Sequence, residues 1–340
     1  MSNMHQSWYE AGARERIAAL VDTGSFGEFV GPEQRETSPH LGIFDLPAQF
    51  DDGIVVGSAT LDGTPILVAA QEGRFMGGAF GEVHGAKLTG LLRAAKVLGR
   101  DVVIAFDTGG VRLQEANAGE IAIAEIMRAV VEARMTGVRV IGLIGGRAGC
   151  YGGGGLIAGC CSTLIVSEQG RISVTGPEVI ETNMGVEEFD SRDRAFVWRT
   201  MGGKHRTLIG GADVFVDDDA AAFRDAARAA LAQSARPVSD RNASPHPFAL
   251  SEVEGLGSID DASTSLSTNG SGERPGLDLD TLAAEQARLE RRIARFGDAA
   301  DATDIWRALG IDDPTAIPDM PSAAFATLAA QYRESADDAR

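Results

Sequence analysis

The sequence predicts an α/β domain built on a largely parallel sheet, and three observations predict it. Short apolar runs alternate with longer stretches of helical periodicity. The runs are apolar throughout instead of at every second position, as in strands covered on both faces. Glycine clusters stand where a run gives way to a helix. The chain has 340 residues, enough to bury a full core. Its 42 glycines exceed the roughly 24 expected at about 7% usage. They gather at 77–90, 109–119, 142–159 and 202–211 without a repeat, which points to tight turns and close backbone approach to a ligand.

Residues 11–20 carry Ile17 and Leu20 at helical spacing and read as a short amphipathic helix. Ile54-Val55-Val56 and Pro65-Ile66-Leu67-Val68 are β-rich runs on either side of Asp62-Gly63, a hairpin signal. Gly85–Leu98 sets Leu88, Leu91, Leu92 and Ala95 on one helical stripe, and Asp101–Phe106 follows as a buried strand ending at Asp107-Thr108-Gly109-Gly110. The unit then recurs. A helical pattern over Asn117–Met135 leads to a strand over Val138–Ile144, which ends in Gly145–Gly152 and a glycine-rich helix. A third unit gives Thr163–Ser167, Ile172-Ser173-Val174 and the turn Thr175-Gly176-Pro177.

From Arg236 to Leu277 small and polar residues dominate, which predicts a mobile linker or insertion. Leu279–Phe296 and Ser322–Tyr332 read as helices that pack back on the domain or on a partner. The expected division is a domain over 1–235, a linker over 236–277 and C-terminal helices over 278–340.

A formal net charge of −18 repels phosphate backbones, so nucleic acid is excluded as a partner. The first twenty residues contain Glu10, Arg14, Glu15 and Arg16 and lack the apolar core of a signal peptide. The apolar stretch Gly155–Val166 is too short to span a bilayer. Three cysteines, two of them adjacent, make neither a disulfide framework nor a zinc set. A reducing cytoplasm is the expected location.

Two strands thus end in glycine-rich turns that feed helices, where backbone N–H groups can point at a ligand. Phosphate binding is one use, but Asp107–Glu115 lacks the Lys-Ser/Thr of a P-loop. Gly145–Gly155 lacks dinucleotide spacing. The other use is an oxyanion hole, which takes donors from two separate segments. Plain structural turns remain an open alternative.

Five motifs in order carry a resemblance. They are Ala13–Ile17 with Gly24-Ser25-Phe26, then Gly77–Lys87, then Asp107-Thr108-Gly109-Gly110-Val111-Arg112-Leu113-Gln114-Glu115, then Val174–Ile180, and finally Met201–His205. Together they span roughly residues 10–220 and resemble the acyl-CoA carboxyltransferase family. The resemblance implies the N-terminal half of a carboxyltransferase, with the crotonase-like (ClpP/crotonase) β-β-α spiral and appended C-terminal helices. It also implies that backbone amides polarise the thioester carbonyl of an acyl-CoA or acyl-carrier-protein substrate.

Three departures narrow the resemblance. No four-cysteine zinc ribbon precedes the domain, and the chain has room for one such domain where long members carry two. Thr108, Val111 and the run Ala148–Gly155 are most similar to β subunits of biotin-independent malonate decarboxylases. That likeness implies a γ subunit completing the site, an acyl carrier protein bringing the thioester on its prosthetic group, and an acyltransferase α subunit. It implies no directly bound cofactor and no metal.

By the same resemblance Gly110 and Val111 supply one oxyanion donor, and Gly149, Cys150 and Tyr151 the other. Gly109, Arg112, Ala148, Gly152, Gly176 and Pro177 would line the thioester. Read for themselves, Arg112 and Glu115 form a local ion pair that positions the turn, and Cys150 is a small packing residue. His84, at a helix start, reads as a structural hydrogen-bonding group. Lys204 and His205 read either as contacts to a carrier phosphate or as an exposed loop. Asp217-Asp218-Asp219 reads as a solvated helix start. Rival functions are half of a biotin-dependent carboxyltransferase, a noncatalytic carrier-binding scaffold, and a crotonase-like hydratase.

Overall fold

Asp62 and Gly63 both adopt left-handed conformations, with φ of 52° and 73°, and so reverse the chain in two residues. The reversal pairs β2 (Ile54–Leu61) with β3 (Thr64–Gln71), from Leu61 opposite Thr64 to Ile54 opposite Gln71. A short β1 (Gly27–Phe29) adds antiparallel to β2. On the other side β4 (Val102–Phe106), β5 (Val140–Ile144), β7 (Thr163–Ser167) and β9 (Val214–Val216) continue the sheet, all parallel. The result is a seven-stranded mixed sheet in the order β1-β2-β3-β4-β5-β7-β9. A two-stranded parallel sheet, β6 (Cys150–Tyr151) with β8 (Ile172–Ser173), stands apart from it.

This computed structural model describes residues 6–46, 48–232 and 279–333. Residues Met1–Ser234 and Ala299–Arg340 make one compact unit and Ala235–Asp298 a second. The expected linker at 236–277 lies outside the described residues.

The continuous apolar runs are explained by a sheet covered on both faces. Alternate residues of β4, Val102, Ile104 and Phe106, join a core with Leu88, Leu91 and Leu92 of α2 (Glu82–Leu98) and Ile126 and Val130 of α3 (Asn117–Met135). The intervening Val103 and Ala105 face Ile17 and Leu20 of α1 (Ala13–Leu20) and Phe223 of α8 (Ala220–Ala232). Helix α2 begins three residues before its apolar stripe suggests, because the Glu82 N–H at its first turn is held by the distant Glu115 carboxylate at 2.6 Å. The strand expected from Val138 begins at Val140, since the Val138 N–H still closes the end of α3 on Ala133.

Four short helices follow the parallel strands: α4 (Gly153–Gly159), α5 (Pro177–Met184), α6 (Arg194–Met201) and α7 (Gly203–Leu208). The second unit carries α9 (Leu279–Phe296) among its described residues. Helices α10 (Ala302–Ala308) and α11 (Ser322–Tyr332) belong to the first unit, where Trp306, Ile317 and Phe325 pack with Leu208. Phe325 meets Phe215 of β9 at 4.7 Å, and Arg199 of α6 holds the Asp301 carboxylate at 2.7–2.9 Å. Among the described residues no helix is long and apolar enough to cross a membrane.

Candidate active site

Strands β4 and β5 lie side by side and parallel, so the turns that follow them leave the sheet at the same edge. They are stitched together by backbone. The Thr108 N–H donates to Gly149 O at 2.8 Å, and the Tyr151 N–H donates to Thr108 O at 3.0 Å. Gly110 and Gly152 then meet face to face, both in left-handed φ, at 120° and 56°. A Cβ on Gly152 would sit 3.3 Å from Gly110 Cα, so the approach requires the two glycines.

Asp107 ties both turns to the rest of the domain. Its carboxylate accepts from Arg16 Nη1 at 2.8 Å and from the Ala148 N–H of the second turn at 2.6 Å. Its own N–H donates to Gln71 Oε1 at 3.1 Å, and Gln71 Nε2 lies 3.1 Å from His84 Nε2. That nitrogen therefore accepts, which leaves His84 Nδ1 to donate to Asp52 O at 3.2 Å. Burial, with the Arg112 charge nearby, pushes the imidazole down to about 3, so His84 is a neutral strut.

The helix-bound end of the first turn is anchored by charge. Arg112 Nη1 reaches both Asp52 oxygens at 3.0 Å and Glu115 Oε1 at 2.6 Å, all with fully buried side chains. Burial pushes the Asp52 carboxyl up, and the Arg112 guanidinium pulls it back. Breaking such a group by removing one partner typically costs about 3–5 kcal/mol.

The arrangement redistributes the roles expected from sequence. Arg112 is buried in its ion cluster with Asp52 and Glu115, so its side chain supports the turn and lines no thioester site. The second-turn amides expected as donors are engaged: Gly149 N–H with Gly146 O, Cys150 N–H with Arg171 O, and Tyr151 N–H with Thr108 O. Gly110 N–H is held by Thr108 Oγ1 at 3.1 Å. Among the described residues the Val111 N–H of the first turn makes no hydrogen bond, nor does the Gly153 N–H at the first turn of α4. Gly109 is exposed, while Val111, Ala148 and Gly152 are half-buried at the opening between the turns. Gly176 caps α5 and Pro177 fills its first position, a placement that suits proline's fixed φ.

Cys150 is fully buried, and burial raises its thiol well above the ordinary range, so it stays protonated and packed. Lys204 and His205 are buried in α7: Lys204 Nζ donates to Pro318 O at 2.7 Å, and the His205 ring lies 6.1 Å from that of Trp306. They are neither an exposed loop nor placed for a carrier phosphate. Asp218, expected to be solvated, accepts from the Ser7 hydroxyl and the Tyr9 N–H. Arg16, Asp52 and Gln71 were not singled out for the site, since each reaches it across 36 or more residues. Among the described residues no three His, Cys, Asp or Glu side chains group as metal ligands.

Comparison with known proteins agrees with this geometry. The carboxyl transferase domain family matches residues 10–255. The malonyl-S-ACP:biotin-protein carboxyltransferase MADC of Malonomonas rubra is 44% identical over 241 residues, covering 66% of this chain and 76% of that protein. The propionyl-CoA carboxylase beta chain of Saccharopolyspora erythraea is 35% identical over 174 residues, 51% of this chain, but the match spans only 31% of that longer protein. Among solved structures, a chain of the Pseudomonas malonate decarboxylase hetero-tetramer in complex with malonate is 42% identical. It aligns with a TM-score of 0.65 over 67% of this chain and 84% of its own. The transcarboxylase 12S hexamer shares the fold at a TM-score of 0.56 and 27% identity, over 65% of this chain and 40% of its own. A mixed sheet opening into paired glycine turns is thus the α/β crotonase-like architecture of these enzymes, and with the match over residues 10–255 it places the chain in the carboxyl transferase family.

Proposed function

We propose that this chain is the decarboxylating β subunit of a malonate decarboxylase, acting on a malonyl thioester carried by an acyl carrier protein. The observation that carries the reading is the contact of Gly110 with Gly152, which brings two unpaired N–H groups, Val111 and Gly153, to the adjoining positions of two turns. The likeness to the Malonomonas and Pseudomonas proteins supports malonyl as the acyl group.

The bond between the α-carbon and the carboxylate breaks, carbon dioxide leaves, and the electron pair delocalises into an enolate on the thioester oxygen. Two donors aimed at that oxygen would each contribute about 3–4 kcal/mol. A proton then joins the α-carbon to give the acetyl thioester. Cys150 is too deeply packed to deliver it. Water entering between the turns and the Tyr151 phenol remain as sources in this reading.

A partner subunit is part of the proposal, and the surface supports one. Leu113, Ile121 and Leu156 are exposed on the segments that issue from the two turns, and Val174 and Val179 are exposed beside and within α5. An apolar rim of this kind suits a γ subunit that closes the site. An acyltransferase α subunit would load the carrier.

A second reading has an observation of its own, because the Malonomonas relative is named as a carboxyltransferase to a biotin protein. The chain co-expressed with the product of its neighbouring gene should release carbon dioxide from malonyl thioesters without biotin and regardless of avidin. Val111→Pro deletes an N–H that holds no internal bond, and should lower kcat by about 10²–10³ with the fold retained. No release until a biotin acceptor is supplied would replace decarboxylation with carboxyl transfer.

A further inference from the structure

Around Tyr151 the protein leaves two arginines without a counter-charge, in a chain of net charge −18. Arg171 lies over the Tyr151 ring at 5.9 Å and gives its nitrogens to the carbonyls of Gln169, Gly146 and Arg147. Arg206, from α7, is half-buried with its Nε enclosed, and its charge acts on the same phenol. Neither makes an ion pair with a carboxylate among the described residues. Glu178, on the exposed first turn of α5, is the acid whose field also reaches Tyr151.

Two buried polar atoms in this cluster, Tyr151 Oη and Arg206 Nε, have no hydrogen-bond partner among the described residues. Buried charges are ordinarily paired, because an isolated ion in a low-dielectric setting is costly. Burial pushes the Arg206 guanidinium down to about 10, so it remains a cation at neutral pH. The rest of the wall is apolar: Phe189, Val197 and Met201 pack with Tyr151. A phenol, two guanidinium groups and an apolar wall accept a small carboxylate, which takes paired hydrogen bonds from arginine.

We propose that Tyr151, Arg171 and Arg206 form a receiving site for a carboxylate, namely the free carboxylate of the thioester whose carbonyl lies at the glycine turns. The inference rests on the proposed thioester chemistry and adds what selects the acyl group. Tyr151 stands between Gly149 and Gly152, so the two ends of a malonyl unit would be read by one short segment. A malonyl thioester is held at both ends and its acetyl product at one.

The test is calorimetric binding of malonyl-pantetheine and acetyl-pantetheine to the full chain co-expressed with its neighbouring subunit. Wild type should prefer the malonyl compound. Arg206→Gln should lower malonyl affinity about tenfold or more, and Tyr151→Phe a few-fold, with acetyl affinity unchanged within about twofold. A parallel loss of both ligands would mean a structural role for Arg206 and overturn the site, as would an unchanged malonyl preference in both variants. Wild type that binds neither compound would instead overturn the thioester reading on which the site depends. Tyr151→Phe, which keeps the ring, guards against a folding failure of Arg206→Gln.

Discussion

The two glycine turns look alike in sequence and are held in opposite ways. The first is braced by side-chain charge: Arg16 on Asp107 at one end, Arg112 on Asp52 and Glu115 at the other. The second is braced mostly by backbone, through Gly149 and Tyr151 on Thr108 and Cys150 on Arg171, with the Ala148 N–H on Asp107 and Arg147 paired to Glu10. Its neighbouring cations Arg171 and Arg206 have no counter-ion among the described residues. A turn whose charges are satisfied within the chain can serve as a fixed reference. A turn flanked by unsatisfied charge is the one prepared for an acidic ligand. If that division is right, substitutions at the first turn should cost stability, and those at the second should cost ligand selectivity.

The largest expected effect is that of Arg112→Met. It strands Asp52 and Glu115 as two buried carboxylates and should remove about 3–5 kcal/mol of stability in urea unfolding. A loss below about 1 kcal/mol would end the contrast, because the buried cluster would then be no anchor.

Acid should reach the first turn through His84, which supports Asp107 by way of Gln71. Its folded value of about 3 lies below the ordinary 6.5, so its contribution is complete above pH 6.5 and is lost as the pH falls toward 3. Wild type should therefore lose about 1–2 kcal/mol from this group between pH 6.5 and pH 5, a loss that His84→Gln should lack. His205, also held down to about 3, adds the same slope to both proteins. Equal pH slopes in urea titrations of the two would remove His84 from the support.

Much of the frame was legible because it is written locally. The hairpin at Asp62-Gly63, the strands over 102–106 and 163–167, and helix α3 follow from turn chemistry and period alone. The edge strands Gly27–Phe29 and Val214–Val216 and helices α5 to α7 were not read, being short and weakly patterned. At the site, the pair Arg112–Glu115 was legible because its members are three residues apart. Asp52, 60 residues from Arg112, was not, and neither was the choice of which turn amides stay free. That choice depends on partners such as Arg171 O and Thr108 O, which only the folded sheet brings within reach.

The smallest effect is also the most discriminating. Tyr151→Phe removes a buried hydroxyl that has no partner among the described residues and keeps the ring among Phe189, Val197 and Met201. Deleting a polar group that is already unsatisfied forfeits no hydrogen bond and relieves a desolvation cost. Thermal or urea unfolding should therefore find the variant within about 1 kcal/mol of wild type, on the more stable side. At the first turn every charged group is someone's partner, so no substitution there should behave this way. A Tyr151→Phe protein destabilised by about 2 kcal/mol or more would mean that the hydroxyl is held in the free protein. The second turn would then be as internally satisfied as the first, and the carboxylate would have lost its place.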